Sequence, residues 1–145
     1  MKSMLAPQRS NHAGKRSSYR TLVEAKGGVL MSYFEVEAGV GCVCLIGRLD
    51  VRTVPQMERV FEFMTASQRK PVIVDLSGVE LMNSIGLGML ITNANTLRFY
   101  GASMILLDPP PRVERVIRFA SLDQLLPIVH SKAEALKRIK ESATS

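Results

Sequence analysis

Apolar and polar positions alternate through Tyr33-Phe34-Glu35-Val36-Glu37, the period of two that marks a half-buried strand. A second apolar run follows from Val43 to Leu49, and Gly39 and Gly41 between the two predict a hairpin. The period then changes. Met57, Val60, Phe61 and Met64 recur at helical spacing. They follow Thr53-Val54-Pro55-Gln56, where Thr53 is expected to cap, Pro55 to sit in the first turn and Gln56 to reach back. Pro71 to Leu76 reads as a short strand buried on both faces, closed by the turn chemistry of Asp75-Leu76-Ser77-Gly78. Leu90, Ile91, Ala94 and Leu97 predict a helix of about four turns that stops near Gly101. Ser103 to Leu107 is another inner strand, and Asp108-Pro109-Pro110-Pro111 a rigid connection that cannot stay helical. Val113, Val116, Ile117 and Ala120 mark a third amphipathic helix, and Leu125 to Val129 a short edge strand. Ser131-Lys132-Ala133-Glu134 is a capping box that opens a C-terminal helix carrying Leu136 and Ile139.

Two strands in a hairpin, then helices alternating with strands, predict an α/β fold: one small mixed β-sheet packed by about four α-helices, its inner strands parallel across helical crossovers. The 145 residues leave room for one such domain and a short appendage. Residues 1–30 read as a basic, disordered N-terminal extension and residues 31–145 as the folded domain, because no apolar periodicity runs from Gln8 to Arg20.

The net charge of +6 changes meaning once it is apportioned. Lys2, Arg9, Lys15, Arg16, Arg20 and Lys26 stand against Glu24 alone in residues 1–30, which carry +5; the rest of the chain carries +1. The body therefore lacks the excess charge of a phosphate-binding groove, and direct nucleic-acid binding is not expected. No stretch approaches the ~20 apolar residues of a membrane span. The first residues lack the apolar core of a secretory signal, and two cysteines make no disulfide framework, so a cytoplasmic setting is expected.

Candidate chemistry is sparse. His12 and His130 are not accompanied by a nucleophile and an orienting partner, so no catalytic set is assembled and no enzyme is expected. Cys42 and Cys44 share one side of a strand and would supply only half a metal site; core packing is the simpler role, and neither a metal nor a cofactor is expected. One site stands out. Ser84 follows an inner strand by a short turn, at the start of a helix, with Gly86 and Gly88 beyond it. Its hydroxyl can cap the helix. The same position suits a phosphate, which would meet unpaired N–H groups and the positive helix end.

The run Val72-Ile73-Val74-Asp75-Leu76-Ser77-Gly78-Val79, followed by Met82-Asn83-Ser84-Ile85-Gly86-Leu87-Gly88, resembles the signature of STAS domains, and within them the bacterial anti-sigma factor antagonists. The resemblance extends over residues 32–131 and includes Gly47-Arg48-Leu49-Asp50, Gly101, and Val113-x-Arg115 with Leu122. It implies a non-enzymatic module that binds a serine kinase/anti-sigma factor, frees the sigma factor, and is released by phosphorylation and restored by a phosphatase. Ser84 falls on the phosphoacceptor position. Asp50 falls on the acidic residue bordering the same surface. Asp50, Thr53, Asn83, Ser84, Ile85, Gly86 and Leu87 are the docking residues that the resemblance implies. Two departures stand out: Asn83 occupies the place of an acidic residue, and Ser121 that of a glycine. A different outcome, a STAS subunit of an ABC-type membrane transport complex that docks on an ATPase without phosphorylation, is the alternative. The sequence sets neither the sigma factor nor the oligomeric state.

Overall fold

The computed structural model describes residues 2–4, 21–37 and 39–143. A seven-stranded mixed sheet runs in chain order: β1 (Lys2–Met4), β2 (Thr21–Ala25), β3 (Val29–Glu37), β4 (Val40–Leu49), β5 (Val72–Met82), β6 (Met104–Leu107) and β7 (Ile128–Val129). The first four strands pair antiparallel and the last four parallel, with β4 common to both halves. Three helices make the parallel crossovers: α1 (Val54–Met64), α2 (Ser84–Phe99) and α3 (Pro111–Phe119). The last helix, α4 (Lys132–Ala143), follows β7.

The pleat sends alternate residues of β4 to opposite layers. Val43, Leu45 and Leu49 join a core with Met57, Phe61, Leu90 and Ile117 from α1, α2 and α3. Cys42 joins a smaller core on the other face with Ile73, Ile105, Ala135 and Ile139, the last two from α4.

The hairpin about Gly39 and the mixed sheet with four helices are as expected, while several boundaries move. The edge expected at Met31 falls inside β3, and Val23 and Val29 are buried in the larger core. The signal is Lys26-Gly27-Gly28: both glycines have positive φ, 101° and 93°, and turn β2 into β3. Residues 5–20 of the expected extension lie outside the described residues. The strand expected to close at Leu76 continues to Met82 as β5. Asp75 Oδ1 does accept from the Ser77 N–H at 2.9 Å and hydroxyl at 2.7 Å, but this local bond makes a bulge against β4 instead of a turn. The edge strand expected from Leu125 shortens to Ile128–Val129. At α4, Ser131 Oγ accepts from the Glu134 N–H at 3.1 Å as expected, whereas Glu134 reaches past it to accept from the His130 N–H at 3.3 Å.

Candidate functional site

The site forms where β4 and β5 end side by side. Leu49 pairs with Met82, and the Asn83 N–H donates to the Leu49 carbonyl at 3.2 Å. Asp50 and Asn83 are therefore the first residues beyond a tied pair of strand ends, and each turns its chain into a helix.

Asp50 does this with its side chain. Oδ1 accepts from the backbone N–H of Arg52 at 2.9 Å and of Thr53 at 3.2 Å, while its carbonyl accepts from Val54 at 3.0 Å. The Arg52 N–H, then those from Thr53, and the nearby Arg48 guanidinium hold the Asp50 carboxyl below the usual carboxylate range, against a smaller effect of burial. Thr53 was expected to cap α1. Its hydroxyl instead donates to the Arg48 carbonyl at 2.6 Å and accepts from the Asp50 N–H at 3.0 Å, so it clamps the end of β4. Gln56 does not reach back to Thr53 either. Its amide brackets Lys26, accepting from the N–H at 3.0 Å and donating to the carbonyl at 2.9 Å, and it also donates to the Arg52 carbonyl at 2.6 Å. That partner lies thirty positions away in sequence, beyond the reach of any local pattern.

At the second turn the cap is Asn83, not Ser84. Asn83 Oδ1 accepts from Ile85 N–H at 3.1 Å and Gly86 N–H at 3.5 Å. Ser84 becomes the first helical residue, exposed, and its hydroxyl has no hydrogen-bond partner among the described residues. Gly86 sets the depth of the helix. A Cβ there would lie 2.8 Å from Leu49 Cβ and 3.1 Å from its carbonyl oxygen, so α2 begins in contact with the end of β4. Next to this surface, an open groove of about 510 Å³ runs between α1 and α2, lined by Glu58, Arg59, Glu62, Ile85, Gly88 and Thr92 among others. The groove was not read from the sequence; Gly88, with nothing within 4 Å of where its Cβ would stand, is its one local signal.

The STAS domain family pattern matches residues 33–135. The chain belongs to the STAS domain family. It is 29% identical over 94 residues to an anti-sigma-B factor antagonist of Staphylococcus aureus, which covers 65% of this chain and 81% of that protein. The crystal structure of an anti-sigma factor antagonist from Mycobacterium paratuberculosis superimposes with a TM-score of 0.69 at 25% identity, covering 81% of this chain and 99% of the other. The anti-sigma factor antagonist SpoIIAA in its unphosphorylated form gives 0.63 at 23% identity, with 77% and 96% covered. The phosphorylated form of Bacillus SpoIIAA gives 0.58 at 22%, with 75% and 98% covered.

In this STAS domain the seven expected docking residues divide by burial. Asn83, Ser84 and Ile85 are exposed and Asp50 is half-buried beside them. Thr53, Gly86 and Leu87 are buried, at 0% exposure for Thr53 and 7% for Leu87, so they support the surface from beneath and do not form part of it. Exposed Val51 was missed by the sequence reading and lies in the same turn as Asp50.

The remaining candidates lie elsewhere. Cys42 and Cys44 are free, and the hydrogen bond with Cys44 together with burial pushes the Cys42 thiol up, which suits packing and not nucleophilic attack. His130 sits 3.4 Å from Asp108 Oδ1 at the β6–α3 connection, and His12 lies outside the described residues. Among the described residues no three His, Cys, Asp or Glu side chains are grouped to hold a metal ion, and no helix is long and apolar enough to cross a membrane.

Proposed function

We propose that this STAS domain is an anti-sigma factor antagonist: a binding module for a serine kinase/anti-sigma factor, switched off by phosphorylation of Ser84. One observation carries the reading. The Ser84 hydroxyl is exposed and unengaged at the first position of α2, because Asn83 has taken over the cap. A kinase can therefore take the hydroxyl without breaking a bond that holds the fold.

The switch follows from charge. In the unmodified protein, Asn83, Ser84 and Ile85 present an uncharged exposed edge with Ile85 38% exposed, and the one charge beside it, Asp50, is already held by the Arg52 and Thr53 N–H groups. A phosphate adds about −2 charge, which the helix end stabilises in the free protein. Inside the interface the same phosphate loses its water, and Asp50 stands beside it as a second negative charge. Desolvation of that kind takes several kcal/mol from the complex, and each ~1.4 kcal/mol is tenfold in affinity. A phosphatase reverses the change by removing the group. The relatives named for anti-sigma antagonism, and the SpoIIAA structure in a phosphorylated form, support this reading.

The test is incubation of the full chain with candidate serine kinases and ATP, mass mapping of the product, and partner affinity for the wild type, Ser84→Ala and Ser84→Asp. A single phosphate on Ser84, tight binding by Ser84→Ala and at least tenfold weaker binding by Ser84→Asp are expected. Equal affinity across the three proteins would remove the switch.

A further inference from the structure

The groove beside the Ser84 edge is built from two helix faces of unlike chemistry. Its α2 wall is the stripe Ile85, Gly88, Met89, Thr92 and Asn93, at the three- and four-residue spacing of one helical face. From Ser84 to Leu97 the helix carries no charged residue, so this wall holds no counter-ion. The α1 wall carries Glu58 and Glu62, one turn apart and both exposed. Neither has a cationic partner among the described residues, and like charges at that spacing repel. Arg59 stands two residues from each of the buried Met57 and Phe61, about 160° round the helix from both, and so occupies the outer rim. At the floor lies Asn93, 5% exposed. Its Nδ2 donates to the Met89 carbonyl at 2.9 Å, which fixes the orientation of the amide. The Oδ1 accepts no hydrogen bond among the described residues, yet it is not sealed from solvent, so this acceptor opens into the groove. A buried amide oxygen without a donor calls for one from outside.

We infer that this groove takes the guanidinium of an arginine presented by the serine kinase/anti-sigma partner, an inference that rests on the reading of the domain as a binding module for that partner. The free groups facing the groove's interior are acceptors: the Asn93 amide oxygen at the floor and the Glu58 and Glu62 carboxylates on the wall above it. A guanidinium or an ammonium has donors and no acceptor, so it is the group that answers them. The planar fork of arginine donates in two directions at once and can span an amide oxygen and a carboxylate, which the point charge of lysine does less well. Its apolar stem is matched by Ile85 and Met89 on the α2 wall, and Gly88, with nothing within 4 Å of where its Cβ would stand, leaves room for the stem to pass. Glu58 lies three residues from Phe61 and one from Met57, nearer the buried stripe than Glu62, so it is the carboxylate closer to Asn93 and carries more of the contact. The source of the arginine follows from Ile85, which belongs both to the groove and to the exposed Asn83–Ser84–Ile85 edge. A protein that covers the edge also covers the mouth of the groove.

The test uses as its probe the kinase that modifies Ser84, with Ser84→Ala as the parent protein so that binding is read without turnover. Isothermal titration calorimetry should give at least about tenfold weaker binding when Glu58→Lys is added to the parent, and a loss in the same direction for Asn93→Leu, which removes the acceptor at similar volume. Glu24→Lys makes the same charge change at an exposed position on the other face of the sheet and should leave the affinity unchanged. Circular dichroism reports that each variant remains folded. Among arginine-to-glutamate variants of the kinase, one should lose binding to the parent and regain it with Glu58→Lys, an exchange that a general change of charge would not give. A kinase that binds the parent and phosphorylates the wild type but ignores both Glu58→Lys and Asn93→Leu overturns the inference and leaves the functional reading standing. Tighter binding by Glu58→Lys also overturns it, since the partner's group is then an anion. A chain that no kinase binds or modifies removes the functional reading and the inference with it.

Discussion

Gly86 and Leu49 meet so closely that one added methyl group would overlap both the side chain and the carbonyl of Leu49, at 2.8 and 3.1 Å. This contact joins the start of α2 to the end of β4 and holds Ser84 level with Asp50. Alanine at the same position would gain about 1 kcal/mol in helix propensity but lose about 1–3 kcal/mol to overpacking. Gly86→Ala is therefore expected to be destabilising. Two residues on, Gly88 has open space around it, so Gly88→Ala keeps the propensity gain and is stabilising by up to about 1 kcal/mol. Urea unfolding of the two variants should move the midpoints in opposite directions; a shared sign would mean that the Leu49 contact does not set the helix position.

The cap at Asn83 gives a second prediction. Removing its Oδ1 in Asn83→Ala orphans the N–H groups of Ile85 and Gly86, with a loss of about 1 kcal/mol. Asn83→Asp keeps the acceptor and adds a negative charge at the positive helix end, worth about 0.3–1 kcal/mol. Thermal denaturation should therefore order the proteins Asp ≥ Asn > Ala. The order should change when Ser84 is phosphorylated, since aspartate then stands beside the phosphate and asparagine does not; the Asn83→Asp advantage is expected to vanish in the phosphorylated pair.

The sequence carries much of this arrangement and misses the rest for identifiable reasons. Periodicity locates α1, α2, α3 and the inner strands because each buries one stripe or two faces, and burial writes itself into residue type. Local capping was less legible. Thr53, Asp50, Asn83 and Ser84 all have side chains able to accept from a helix start, and only the backbone path decides which one does. At the first helix it is Asp50, three residues earlier than Thr53; at the second it is Asn83, which leaves Ser84 unengaged. The β1–β2 pairing and the Gln56–Lys26 bracket were invisible because they join positions far apart in the chain.

Asp50 predicts a pH dependence. Its folded-state carboxyl titrates below the unfolded value of about 3.9. The unfolded chain therefore takes up the proton first as pH falls. The contribution of Asp50 to stability is full above that unfolded value and disappears as pH drops through the lower folded one. The Arg52 and Thr53 N–H bonds to a carboxylate are weaker to the neutral amide of Asp50→Asn, so this variant should be less stable than wild type at neutral pH. The difference should close as pH falls through the folded value. Urea midpoints of both proteins at pH 7 and at acid pH read it directly; a gap unchanged with pH would exclude the carboxylate as its source.

The ends of α2 and α3 supply the last prediction, because the same motif is built twice with different residues. After α2, Gly101 at φ 78° donates to the Arg98 carbonyl at 3.0 Å and Ala102 donates to Leu97 at 2.9 Å. After α3, Ser121 at φ 57° donates to the Arg118 carbonyl at 2.9 Å and Leu122 donates to Ile117 at 3.1 Å. Both are the paired six-to-one and five-to-two bonds that close a helix through one left-handed residue. Glycine adopts that conformation freely, whereas a residue with a Cβ pays roughly 1–2 kcal/mol there. Ser121 thus carries a strain that Gly101 does not, and nothing in its side chain's hydrogen bonding offsets it among the described residues. Glycine also loses more chain entropy on folding, about 0.5–1 kcal/mol, so the net gain expected for Ser121→Gly is about 0.5–1 kcal/mol, a rise in melting temperature of roughly 2–4 °C for a chain of this size. Gly101→Ser should lose a similar amount. Differential scanning calorimetry of the two single variants gives opposite shifts if the left-handed residue governs both helix ends, and a Ser121→Gly protein no more stable than wild type would show that the second end relaxes its strain by another route.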